Sequence, residues 1–173
     1  MRRVVADDIL TDLFDVSLRQ VSPFVRFTLS GLLKIDAAPL VNALLARAMK
    51  GSLVIEWGLH QGMHVTGTTT PYEFLKRIQL YRTGDISPLV EQDVLLLAGA
   101  EDHYVPLRQF HDQIRSLTAV RSLTARLFTR DEQAQNHVHV GNIGLSLGVI
   151  VDWIAERQSW PGGGAARHDR RQP

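Results

Sequence analysis

Two side chains far apart in this sequence are of the types, and in the settings, that could form an acid–base pair. Asp102 follows a continuous apolar run through a turn of small residues, in DVLLLAGAEDHYVP (Asp93 to Pro106). His137 lies in QNHVHVGN, directly ahead of an amphipathic segment. A carboxylate just beyond a buried strand can accept an imidazole N–H, fix the tautomer and stabilise the imidazolium formed in turnover. The histidine can then take a proton from a hydroxyl and return it to a leaving group. Each residue also has a plainer reading: a turn or helix-entry acid for Asp102, a polar loop residue for His137. Their pairing favours chemistry. Glu101 competes with Asp102 but fits less well, because its longer side chain starts one residue nearer the strand. His139, two residues past His137, reads as a polar loop residue pointing elsewhere.

A nucleophile is harder to find. Gly144-Leu145-Ser146-Leu147-Gly148 matches G-x-S-x-G literally. A nucleophile elbow, however, needs a buried strand before it and a sharp turn that exposes the hydroxyl. This match falls inside a helical pattern, after the histidine, so Ser146 reads as a decoy and the two glycines as a close-packing face. His60 and His64 are four apart, but Gln61 and Gly62 stand where the two-histidine zinc motif has its glutamate. No third ligand is evident, so neither a metal nor a cofactor is expected. Trp57, Trp153 and Trp160 read as core or rim residues.

The elements that must position the pair are legible from periodicity. Arg3 to Ala6 reads as a short strand. From Ile9 to Tyr81 the pattern is helical, broken by prolines and glycines. Within it, Leu40, Val41, Leu44, Leu45 and Ala48 form a broad apolar stripe. Thr70-Pro71-Tyr72-Glu73 is a capping box with proline at the first helical position, opening a helix with Phe74, Leu75, Ile78 and Tyr81 at helical spacing. Gly84 to Pro88 is a turn. Asp93 to Ala98 is the strongest strand, and its unalternated VLLL suggests burial on both faces of a parallel sheet. Pro106 opens a helix with Leu107, Phe110, Ile114 and Leu117 on one side. Leu123, Ala125 and Leu127 alternate as a strand. Asn142 to Arg157 is the last helix, with Ile143, Leu147, Ile150 and Ile154 expected to face inward.

The fold class is therefore α/β, with about three parallel strands, flanking helices and a helical cap inserted after the first strand. The expected divisions are a first core strand at 1–8, the cap at 9–82, the C-terminal core at 83–158 and a disordered tail at 159–173. A chain of 173 residues can bury a sizeable core. Its formal charge of +1 offers no field to recruit nucleic acid or an anionic membrane. The absence of cysteine excludes disulfides, thiolate metal sites and a cysteine nucleophile. With no signal peptide and no long apolar run, a soluble, cytoplasmic protein without membrane contact is expected.

These motifs carry a resemblance to the α/β-hydrolase superfamily, over roughly Met1 to Gln158. VLLLAGAEDHYVPLRQ and FTRDEQAQNHVHVGNIGLSLGVIVDWI are most similar to the branch of 2,6-dihydroxypseudooxynicotine hydrolase, FrsA-type esterases and dipeptidyl aminopeptidase/acylaminoacyl-peptidase-like proteins. That branch shows E-x-A-x-x-H-C-Q-x-G-N around its histidine. Glu132, Ala134, His137, Gly141 and Asn142 match it, whereas Val138 and His139 replace the cysteine and glutamine. The resemblance implies a partial α/β-hydrolase fold running from the sixth strand to the final helix. It makes Asp102 the triad acid, His137 the triad base, and Leu10 to Tyr81 the cap over an acyl- or aryl-binding pocket. The superfamily's serine nucleophile and oxyanion hole would lie upstream of Met1. The expected function is the C-terminal half of a serine hydrolase acting on ester, amide or activated C–C bonds, inactive by itself. The alternative is a non-catalytic module that binds a small molecule or a partner, a homodimer through its open strand edge included.

Overall fold

The register of three strands brings separate loops to one edge of a small sheet. The computed structural model describes residues 3–19 and 21–158. Among these, β1 (Arg3–Asp7), β2 (Asp93–Gly99) and β3 (Ser122–Phe128) form one parallel sheet in the order β1-β2-β3. Asp7 pairs with Leu97, and Gly99 with Phe128. The segments after all three strands therefore emerge together at the carboxyl edge, where parallel sheets gather ligands and chemistry.

β2 is buried at every residue, as its unalternated apolar run requires. Its side chains divide by the two-residue period of a strand. Val94, Leu96 and Ala98 pack with Phe110 and Leu117, while Leu95 and Leu97 pack with Phe128, Ala134 and Trp153. Helix α6 (Leu107–Ser116) supplies Phe110 to the first face, and α7 (Ile143–Gln158) supplies Trp153 to the second. The protein is α/β, three parallel strands with flanking helices.

Between β1 and β2 lie α1 (Leu13–Leu18), α2 (Pro23–Lys34), α3 (Ala38–Gly51), α4 (Leu53–Thr66) and α5 (Pro71–Ile78). They enclose a cluster of their own that includes Leu29, Leu33, Val41, Leu45, Phe74 and Ile78. The Thr70–Glu73 capping box is present, and Pro71 follows it at the first helical position. Gly67 ends α4 in the left-handed region, at φ 64°, where the missing β-carbon removes the steric cost. The insertion is tied to the sheet layer through buried Asp15, which accepts from Arg26, Arg108 and the buried amide of Gln109. Arg19, just after α1, donates to the carbonyl oxygens of Asp102 and Tyr104, each at 3.4 Å.

Several expected faces differ. On α7 the packed stripe is Leu145, Val149, Ile150, Trp153 and Ile154, whereas Ile143 and Leu147 are 49% and 55% exposed. The helix is apolar on two sides, and contact with the sheet selects the side carrying Trp153. On α3, Val41 and Leu45 turn inward and Leu40 turns outward. Tyr81 lies past the end of α5 and Trp57 is exposed. The tail at 159–173 and Trp160 lie outside the described residues. Among the described residues no single helix is long and apolar enough to cross a membrane.

Candidate acid–base site

Asp102 and His137 meet. The strand β2 ends at Gly99, and the turn that follows buries Asp102. One carboxylate oxygen, Oδ1, accepts from the backbone N–H groups of Tyr104 at 2.7 Å and Val105 at 3.0 Å. This is the turn-acid role, in which an aspartate bonds the backbone two and three residues on. It also aims the second oxygen: Oδ2 lies 2.8 Å from His137 Nδ1. A carboxylate accepts, so Nδ1 carries the proton and Nε2 is left as the basic nitrogen. His137 keeps 31% of its side chain exposed, and its Nε2 has no hydrogen-bond partner among the described residues. The Tyr104 ring stands edge-on to it, with centroids 5.1 Å apart.

The loop carrying His137 is built from the residues around it. Glu132 caps the turn after β3 by accepting from Thr129 N–H at 3.1 Å. Ala134 is fully buried against the sheet. Gly141 passes so close to the Gln133 carbonyl that a β-carbon would collide with it. Asn142 donates to the Glu132 carbonyl at 3.0 Å and accepts from Leu145 N–H at 3.3 Å, closing the loop and starting α7. The four other motif residues thus each shape the turn that presents His137.

Of two acids that sequence reasoning passed over, Asp8 reaches the pair and Asp7 bonds the neighbouring His139. Asp8 follows β1 with its carboxylate buried, accepting from Gly99 N–H at 3.3 Å and from Val138 N–H. Its Oδ2 also lies 3.5 Å from His137 Nδ1. Burial holds the Asp8 carboxyl above its ordinary value, aided by Asp102 and Asp7 and opposed by the Val138 N–H and the charge of His139. Asp7 accepts from His139 Nε2 at 2.8 Å. The signal was present: VVADD is an apolar strand ending in paired acids, the same pattern as LLLAGAED.

The remaining candidates separate cleanly. Glu101 points away into a pair with Arg130. His139 is not the solvent-facing loop residue its neighbours suggest, because Phe128, Ala134 and Asp7 enclose it completely. Ser146 is buried in α7 and donates back to the Ile143 carbonyl at 3.0 Å. It follows no strand and stands on no sharp turn. His60 and His64 lie on α4, in the helical insertion. Asp8, Asp102 and His137 converge closely enough for one cation, as do Asp7, Asp8 and His139. In both groups the histidine nitrogen also sits at N–H···O distance from a carboxylate.

The geometry holds a partly exposed imidazole against a buried carboxylate at the carboxyl edge of the sheet. Comparison of the chain with models of known families, with curated proteins and with solved structures finds no match.

Proposed function

We propose that this chain supplies the acid and base of a serine-hydrolase-type centre, as in an α/β-hydrolase, acting on an ester, amide or activated C–C bond. The nucleophilic hydroxyl and the oxyanion donors come from outside these residues. The observation that carries this reading is the 2.8 Å contact of His137 Nδ1 with an Asp102 carboxylate already locked by two backbone N–H groups. In this arrangement Nε2 removes the proton of an incoming hydroxyl as its oxygen attacks the substrate carbonyl. Asp102 stabilises the resulting imidazolium, which then protonates the leaving group. The open edge of β1, beside Asp8, is where a further parallel strand bearing that hydroxyl would fit.

The test is to read the coding DNA upstream of the Met1 codon and express the longest in-frame product. A fluorophosphonate probe is expected to label a serine in that product and to leave its His137→Gln variant and the 173-residue chain unlabelled. Stoichiometric labelling of the 173-residue chain would overturn the reading, as would an upstream frame with no strand, G-x-S-x-G and helix.

One observation favours a second reading, a non-catalytic module assembled from two copies. The Asp8 N–H bonds the Leu97 carbonyl on β2, so by alternation the N–H groups of Val5 and Asp7 face the side of β1 on which no strand pairs among the described residues. Two β1 strands paired antiparallel about Val5 would set each Arg3 opposite the other copy's Asp7. A discrete dimer by light scattering, with no labelled serine in any longer product, supports that reading.

A further inference from the structure

His139 is an imidazole with no exposed surface and an acceptor at each nitrogen. Its Nδ1 lies 2.8 Å from the Ala134 carbonyl oxygen, which can only accept. Its Nε2 lies 2.8 Å from Asp7 Oδ1 at the end of β1. Both nitrogens must carry protons to satisfy both contacts, so the ring is held as an imidazolium. The ring packs tilted against Phe128 at the end of β3, with centroids 4.4 Å apart. One side chain therefore joins the ends of the two outer strands to the loop between β3 and α7.

That loop needs holding. Val138 and His139 both have left-handed backbones, at φ 47° and 53°. Such a conformation is costly for a non-glycine residue, and it is least natural for a β-branched one such as valine. Two contacts stand against the strain: Asp8 accepting from the Val138 N–H, and the His139 bridge. His137 directly precedes this turn, so the turn sets the direction of its ring.

We propose that His139 is a positioning residue for the Asp102–His137 pair, its buried imidazolium bridging Ala134 and Asp7 to hold the left-handed turn that swings His137 onto Asp102. The proposal rests on reading that pair as acid and base. The charged groups around the ring agree with it. Asp7 and Asp8 face it from the end of β1, and on β3 the nearest cation is Arg126, stacked on the far partner Phe128 and paired with Glu132. Burial by itself would lower the His139 pKa, but the Asp7 hydrogen bond, the Ala134 carbonyl and the charges of Asp7 and Asp8 outweigh it, leaving a net rise. A folded value above the unfolded one, about 6.5, gives stabilisation that is complete below the unfolded value. It is lost as pH rises through the folded one. The turn is thus held below the unfolded value and released as pH rises through the folded one.

The experiment is nitrogen–proton correlation NMR of the 173-residue chain with labelled histidine. In the unsubstituted chain His139 is expected to carry protons on both nitrogens at about pH 6, below the unfolded value, and His137 to show a downfield Nδ1–H signal that Asp102→Asn abolishes. His139→Gln, which can donate to only one of the two acceptors, is expected to remove or broaden that His137 signal. Asp7→Asn serves where the first variant fails to fold: the His139 midpoint should fall, and the His137 signal should fade at a lower pH. A His137 signal unchanged in both variants would overturn the positioning role while leaving the acid–base pair standing. A neutral His139 at pH 6 in the unsubstituted chain would also overturn it. Absence of the His137 signal from the unsubstituted chain would instead overturn the acid–base reading, and this proposal with it.

Discussion

At Gly99 the chain has no room for a methyl group. A β-carbon there would collide with the Gln135 carbonyl oxygen and come within 2.7 Å of that of Asn136. The glycine lets the last residue of β2 pass directly beneath the loop that carries His137, while its own N–H is held by Asp8. Gly99→Ala pushes on backbone, which cannot swing aside as a side chain can. The expected cost is about 1–3 kcal/mol, the usual range for overpacking, together with loss of the His137 Nδ1–H signal. Chemical denaturation and the same NMR spectrum check both parts. A variant of unchanged stability with the signal intact would mean the loop yields freely, and the tight approach would be incidental. The paired acids belong to this scale as well. Asp102 serves its turn with one oxygen and meets His137 with the other, so the turn-acid role and the contact with the histidine coexist in one side chain.

Between elements, one buried amide makes several of the contacts that join the helical insertion to the sheet layer. Gln109 on α6 is fully buried. Its Oε1 accepts from the N–H groups of Thr11 at 2.7 Å and Asp12 at 3.2 Å, and its Nε2 donates to Asp15 at 2.8 Å. These contacts set where α1 begins, and Arg19 at the end of α1 reaches back to the loop of Asp102. Burial opposes ionisation of Asp15, but its bonds from Gln109 and Arg26 and the charges of Arg108 and Arg26 hold its carboxyl below the usual range. Gln109→Ala leaves two N–H groups and a carboxylate oxygen without this partner. Each buried polar group left unmade costs about 1–3 kcal/mol, so the denaturation midpoint should fall clearly. An unchanged midpoint would show that water replaces the amide at no cost and that the insertion is anchored elsewhere.

Across the whole molecule, the sheet ends on a strand, β1, with no second partner strand among the described residues. Val4 and Val5 of β1 are 38% and 36% exposed. An apolar furrow lined by Val4, Ala6, Ile9, Ile86 and Val90 runs beside them. Large apolar side chains are also exposed on the insertion, among them Phe24, Phe27, Leu53 and Trp57. A strand edge of this kind is a template for pairing, and exposed apolar surface adds to the drive to associate. The 173-residue chain is expected to self-associate, and Val5→Lys to weaken that association by about tenfold or more, the effect of roughly 1.4 kcal/mol. Light scattering across a concentration series measures it. Equal association of the two chains would move the contact from β1 to another exposed surface, the insertion helices being the next to test.

What the amino-acid order determined by itself is local. The apolar run of β2, the Thr70–Glu73 cap and the turn glycines are set by backbone periodicity and by neighbours a few residues away, and all could be read directly. Asp102 and His137 were legible for the same reason, each marked by the strand or helix next to it. What only the tertiary structure decided is which distant groups meet. Asp8 and His139 take their roles from the alignment of β1 with β2, strands some ninety positions apart. That alignment places VVADD beneath the VHV turn. The inward side of α7 was misplaced at Ile143 and Leu147 for a related reason: a helix apolar on two faces carries no internal preference, and the sheet it packs on makes the choice. Local order follows from the chain's own geometry, whereas burial and partnership follow from register between segments that sequence spacing does not relate.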